Sequence, residues 1–471
     1  MDFDQNNKII PGMAERWEIS PDGKTYTFHL RSGLKFSDGS PITADDFVYS
    51  WRRLVNPQVA SPYNMLIASV VNALSIIDNK APITALGVTA PDPHTFVVIL
   101  VHADPSFIEA IHLPNTAVVS QRVIEKFGRK WTDPANIVTS GAYVLKEHVV
   151  NGYILAIKNP NYYDAANVMI NQVKYLPYED KNATLPTYKT DDLDVTFQSL
   201  PIDQYTEIKQ KYPNELHIIK QEANYYYDFS ATNPELARNP KLRQAMSMAI
   251  DRKTLVNQVL GQEQTPMYST VTSTIENGRF AAVGYEWATW PRDKQIAEAK
   301  RLYTEAGYSL TKPYHAALSY NTNGLHKKVA LSVASMWKSV LGIDTSIQNQ
   351  EWKTFLQTRH NGDYKIARDG WVADYNSVIT YTSLYQCHNP QNNSHYCNPE
   401  FDKLVAQANI ESDTLKQTAL YSEALQLPLN EYATIPLFQY TIQVLVKPRI
   451  TNYTPETNHL YHTQTKWANL K

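Results

Sequence analysis

The sequence predicts an α/β protein of two or three lobes, one of them built on a mixed sheet. Three observations predict it. The chain has 471 residues, more than one hydrophobic core usually serves, which points to two or three lobes. Between about residues 225 and 440 helical and strand periods alternate, the pattern of a lobe built on a mixed sheet. The chain enters that stretch near 224 and leaves it near 441, and two crossings of this kind are what a hinge requires.

The elements follow in order. Trp17 to Arg31 reads as a hairpin turning at Pro21-Asp22-Gly23, with alternating β-favouring residues on the return strand. Thr43-Ala44-Asp45-Asp46 opens a helix through Trp51 and Leu54, its carboxylates at the positive end of the dipole. Strands separated by turns come next, at Tyr143 to Leu145, Tyr153 to Ile157 and Val173 to Leu176. Asn239-Pro240 caps a helix whose apolar residues Leu242, Ala245, Met246, Ala249 and Ile250 keep the 3.6-residue period, with Gly261 as its stop. Further helices end at Gly307 and Gly342, Ile343 to Ile347 alternates as a strand, a helix begins at Phe401, and a late strand runs from Ile435 to Val446.

Composition excludes several classes. Net charge is −2 with 19% charged residues, so the basic stripe of a nucleic-acid binder is missing. The longest apolar run, Phe96 to Val101, is far below the ~20 residues of a membrane helix. There is no nucleophile elbow, HExxH, Walker loop or dinucleotide fingerprint. Gly23-Lys24-Thr25 fails as a phosphate loop because Glu18 stands where the first glycine belongs. The expectation is a binding protein without catalysis, cofactor or metal. Its 31 Tyr and nine Trp suit a surface that is apolar yet wet.

The densest chemistry lies from Asn349 to Asn376, which reads as a strand, a turn at Asn361-Gly362-Asp363 and a second strand. Trp352, Phe355, Arg359 and His360 approach the turn; Tyr364, Arg368, Trp371 and Asp374 leave it. Two Arg forks, Trp faces and a carboxylate make poor core, because buried charge must be paired. They suit a site that grips a ligand polar at both ends. Cys387 and Cys397 bound an Asn-rich loop that also holds His388 and His395; a disulfide, free thiols and a metal site are all open, though the spacing is not that of a structural zinc site.

The runs NQEWKTFL, TRHNGDYKIARDGWVADYN, PGMAERWEISPDGKTYTFHLRSGLKFSDGSPITADDFVYSWRRLVNP and SYNTNGLHKK closely resemble the periplasmic oligopeptide-binding proteins of bacterial ABC transporters and their murein-peptide-binding relatives, in solute-binding protein family 5. The resemblance covers essentially the whole chain. It implies an α/β, periplasmic-binding-protein-like fold of two mixed-sheet lobes joined by two hinge crossings, plus a smaller inserted α+β lobe: residues 1–120 as that smaller second lobe lacking its N-terminal part, 121–224 as the first lobe, 225–440 as the third, and 441–471 as a return to the first. It implies a monomer in the periplasm that closes over a short peptide and presents it to an inner-membrane ABC permease. MDFDQNNKII has no basic region followed by an apolar stretch, so an export signal and a segment ahead of IIPGMAERW are expected to be absent.

By the same resemblance Asp374 in WVADYN receives the peptide α-ammonium, where a purely local reading has it capping the turn at Tyr375. Arg359, His360, Arg368, Asn321 and His326 meet ligand side chains or the terminal carboxylate, although Arg368 has the competing duty of neutralising Asp369. Trp352, Trp371, Tyr440 and Tyr226 line side-chain pockets, with a place in the core as the alternative for each. Backbone recognition is expected at strand edges near Asp374. Ala223 and Val372 stand where oligopeptide binders carry a bridged cysteine pair, and Cys387 and Cys397 look like the loop bridge of dipeptide-binding cousins. The alternative readings are a non-transporting truncated remnant, a chaperone-like peptide binder and a murein-peptide-specific binder.

Overall fold

The computed structural model describes residues 1–4, 8–104, 106–178, 181–196, 200–453 and 465–471. The described residues form two compact units, residues 1–196 with 445–453 and 465–471, and residues 200–444.

In the first unit the expected hairpin is β1 (Ala14–Ile19) and β2 (Thr25–Leu30), antiparallel, with Gly23 at φ 69° in the turn. Helix α1 (Ala44–Leu54) starts at Thr43, where Thr43 and Asp46 form a reciprocal capping box. Strands β3 (Val88–Asp92) and β4 (Thr95–Ile99) complete a four-stranded antiparallel sheet in the order β1-β2-β4-β3. Trp51 of α1 meets Phe96 of β4 edge to face at 5.2 Å, which seats the helix on the sheet. A separate antiparallel sheet holds β5 (Tyr143–Val149), β6 (Tyr153–Lys158) and β7 (Gln172–Tyr175).

The second unit is built on a six-stranded mixed sheet. Its strands are β8 (Leu216–Phe229), β9 (Thr265–Pro266), β10 (His315–Asn321), β11 (Asp344–Gln350), β12 (Ile366–Val372) and β13 (Thr434–Leu445), in the order β9-β13-β8-β12-β10-β11. β8 runs antiparallel to β12, whereas β10 is parallel to both β11 and β12. Helix α2 (Pro240–Ala249) begins at the Asn239 cap. The apolar run expected to carry it to Gly261 breaks at Ile250, because Asp251 caps a new turn and Arg252 is drawn wholly inside, bonding the carbonyls of Met267, Pro436 and Ser247. Helix α3 (Arg292–Glu305) and helix α4 (Gly324–Leu341) match the expected spans, and Gly342 ends α4 in the left-handed region at φ 75°.

The stretch from Asn349 to Asn376 differs from its expected strand-turn-strand form. Residues Trp352–Asn361 are a helix, α5, between β11 and β12. Glu351 caps it by accepting the N–H groups of Lys353 and Thr354, and the buried pair Phe355 and Arg359 sits at i, i+4, a helical spacing rather than an alternating one. Gly362 has the positive φ expected of it, 74°, but uses it to terminate α5, not to turn a hairpin.

Candidate functional site

Strand β12 distributes the candidate residues, because successive side chains on a strand point to opposite faces. Arg368 lies opposite Tyr227 and Gly370 opposite Tyr225; Asp369 lies opposite Tyr226 and Trp371 opposite Asn224. One dipeptide step therefore separates two chemically different faces.

On the first face Arg368 donates to the Tyr440 hydroxyl at 2.6 Å and to Asn321 Oδ1 at 3.3 Å, and its guanidinium lies 5.2 Å over the Tyr225 ring. Tyr225 stacks on Phe438 at 4.6 Å and sits 5.5 Å from the His326 ring, in the first turn of α4. Four expected residues, Asn321, His326, Arg368 and Tyr440, are thus brought together around one aromatic floor. Burial pulls the guanidinium down, but Tyr440, Tyr225 and Asp369 outweigh it and hold Arg368 above its ordinary range. Its Nε is buried without a hydrogen-bond partner among the described residues. Gly370 is required here by close approach, since a Cβ would lie 3.0 Å from the Asn224 carbonyl oxygen, 3.2 Å from Arg368 Nη2 and 3.3 Å from the Tyr440 hydroxyl.

On the second face Arg359 of α5 forms a buried ion pair with Asp369. Asp369 also accepts the Asn393 side-chain amide at 3.1 Å and the Gly370 N–H at 2.7 Å. Asp369 is therefore neutralised by Arg359, not by Arg368, the partner the sequence suggested. Asp228 is buried beside it, and burial first, then the Asp369 charge, pushes its carboxyl well up despite Arg359. Two acids face one guanidinium, which disfavours ionising both and raises Asp228. Tyr226 is enclosed on this face, its hydroxyl pushed up by burial and then by Asp369. Trp371 is half-buried, with its N–H bonded to Asn224 Oδ1 at 3.2 Å and its indole Nε1 unpartnered among the described residues. Trp352, 46% exposed, and His360, also exposed, lie on α5, the Trp352 ring 6.5 Å from that of Phe355.

Asp374 follows the end of β12, where the Ala373 N–H still bonds the Glu222 carbonyl at 2.8 Å. Its half-buried carboxylate has no hydrogen-bond or ion-pair partner among the described residues and does not cap the turn at Tyr375. Burial alone pushes its carboxyl from an ordinary 3.8 up to about 6. The ladder between β10 and β12 stops at Ala367, so Arg368 to Val372, leading up to Asp374, have no strand on that side among the described residues. Ala223 and Val372 are direct cross-strand partners at the end of the β8–β12 ladder. Cys387 and Cys397 form a disulfide with Cα atoms 4.7 Å apart. Among the described residues no helix is long and apolar enough to cross a membrane, and no group of three or more His, Cys, Asp or Glu is placed to hold a metal.

Residues 8–393 match the family described as bacterial extracellular solute-binding proteins, family 5 middle. The chain belongs to this family. It is 41% identical over 446 residues to the periplasmic oligopeptide-binding protein OppA of Salmonella typhimurium, covering 94% of this chain and 81% of that one. The structure of Haemophilus influenzae OppA in complex with RPPGFSPFR superposes with a TM-score of 0.92 at 35% identity, covering 99% of this chain and 91% of that one. The murein tripeptide-binding protein MppA of Escherichia coli gives 0.93 at 35% identity, covering 100% and 91%. In this family 5 chain, sequence reasoning passed over Tyr225, Asp228 and Asn393. The Tyr225-Tyr226-Tyr227 run signals a strand with alternating faces, but which face meets Arg368 follows from the β8–β12 register. Asp228 and Asn393 reach Asp369 only through the folding of distant segments and carry no local signal.

Proposed function

We propose that this chain captures short peptides in the periplasm and hands them to a membrane permease of the ABC class, without catalysing a reaction. The observation that carries the reading is Asp374: a half-buried carboxylate with no counter-charge among the described residues costs free energy unless a cation completes it. A peptide α-ammonium is such a cation, and its charge-assisted hydrogen bond contributes about 1.5–3 kcal/mol net. An extended peptide starting at Asp374 would pair with the free edge of β12 through its backbone, which recognises peptides irrespective of sequence. Its carboxylate end or an acidic side chain would meet Arg368, whose guanidinium is oriented by Tyr440 and Asn321. Arg359 has a different role in this reading, holding Asp369 beneath the strand. OppA and MppA relatives at similar identity support peptides as the ligand class.

The test is calorimetry with trialanine and its N-acetyl form. Trialanine should bind and the blocked peptide should bind far more weakly. Equal affinity for the two removes Asp374 as the amine site, and binding of neither removes peptide capture.

A further inference from the structure

Among the described residues the Asp374 carboxylate makes no hydrogen bond, so its direction is set by the backbone on either side of it. The stretch that follows it is gripped, through the Asn376 side chain and the Val378 N–H, by a segment a hundred positions earlier in the chain. The Glu276 N–H donates to Asn376 Oδ1 at 2.8 Å, and Glu276 Oε1 accepts the Val378 N–H at 2.8 Å. Glu276 Oε2 takes Arg279 Nη1 at 2.8 Å. Arg279 is in turn fixed by Thr418 Oγ1 at 2.6 Å, and by the Thr414 carbonyl and Gln417 Oε1, both at 2.9 Å.

The grip is made from a strained conformation. Glu276 and Asn277 are both left-handed, at φ 48° and 59°, and Gly278 follows at φ 84°. Residues with a Cβ seldom enter this region, and two in succession persist only where the surroundings over-determine them. The contacts that over-determine them here are the two bonds to the Asn376–Val378 segment and the ion pair to Arg279.

We propose that Glu276 is a positioning residue for amine capture: it clamps the turn after Asp374 from behind and so holds that carboxylate in its desolvated, unpartnered orientation. The proposal rests on the peptide-capture reading for its purpose, but the clamp itself has a readout in ligand-free protein. Among the described residues burial alone displaces the titration of Asp374. Loosening the turn should therefore let water in and return the carboxyl toward its ordinary value.

The experiment is a carbon-13 NMR titration of the Asp374 carboxyl in ligand-free wild type, Glu276→Ala, Glu276→Gln and Asn277→Gly, with trialanine affinity measured alongside. In Glu276→Ala the midpoint should fall from about 6 toward about 4, and affinity should drop about tenfold. Glu276→Gln keeps an acceptor for the Val378 N–H and should restore both; Asn277→Gly relaxes the backbone, keeps the clamp, and should leave both as in wild type. An unchanged midpoint in Glu276→Ala, or the same change in Glu276→Gln, overturns the clamp. If wild type fails to bind trialanine while the midpoint still moves as stated, the capture reading falls and the clamp stands.

Discussion

Replacing Asp374 with Asn should move stability and binding in opposite directions. The native carboxyl titrates near 6 instead of an ordinary 3.8. That displacement corresponds to at most about 3 kcal/mol, less whatever solvent reaching the half-buried group screens. The sign follows from proton counts: between about pH 4 and 6 the folded chain binds more protons than the unfolded one, so this group's contribution is full at low pH and lost as pH rises through 6. A neutral amide of the same shape removes that loss. Ligand-free Asp374→Asn should melt higher than wild type at pH 7.5 and together with it at pH 4. Its affinity for trialanine should fall about ten- to hundredfold, the loss of a charge-assisted bond worth about 1.5–3 kcal/mol. Calorimetric melting at the two pH values and isothermal titration check both halves. A variant that melts below wild type at pH 7.5, or binds with unchanged affinity, refutes the assignment of a desolvated, cation-seeking carboxylate.

Affinity for free-amine peptides should climb as pH rises through about 6, when Asp374 loses its proton, and decline above about 8, when the peptide ammonium loses its own; titrations across this range in wild type and Asp374→Asn, where the acid limb should vanish, decide it. Arg359→Met leaves the buried Asp369 without its counter-charge and should cost about 3–5 kcal/mol in urea denaturation. Asp228→Asn should be neutral or stabilising, because the native carboxyl is pushed well up and its destabilising effect grows as pH rises above the ordinary carboxylate range; a large loss in that variant contradicts a protonated Asp228. Ala223→Cys with Val372→Cys should oxidise to a disulfide, since the two are direct partners in an antiparallel ladder whose opposed Cα atoms lie about 4.5–5.5 Å apart; two titratable thiols persisting after oxidation would count against the register.

The amino-acid sequence by itself determined what short-range rules govern. Thr43 with Asp46, Asn239 and Gly342 announce helix ends because a cap acts within one turn of the residue it serves. The WVADYN run singled out Asp374, and the Cys387 to Cys397 spacing allowed the bridge that forms. The same rules misread Trp352–Asn361, because a glycine of positive φ closes a hairpin or a helix equally well, and only the Glu351 cap with the buried i, i+4 pair of Phe355 and Arg359 separates the two. Tertiary structure decided the rest. Arg359 rather than its near neighbour Arg368 reaches Asp369 because the strand's two-residue alternation turns Arg368 to the opposite face. Asp228, Asn393 and Glu276 come to the site from far along the chain, through contacts that only a packed sheet and its loops create. Side-chain chemistry within a few residues is written locally, whereas burial, and with it the displaced titration of Asp374, belongs to the whole fold.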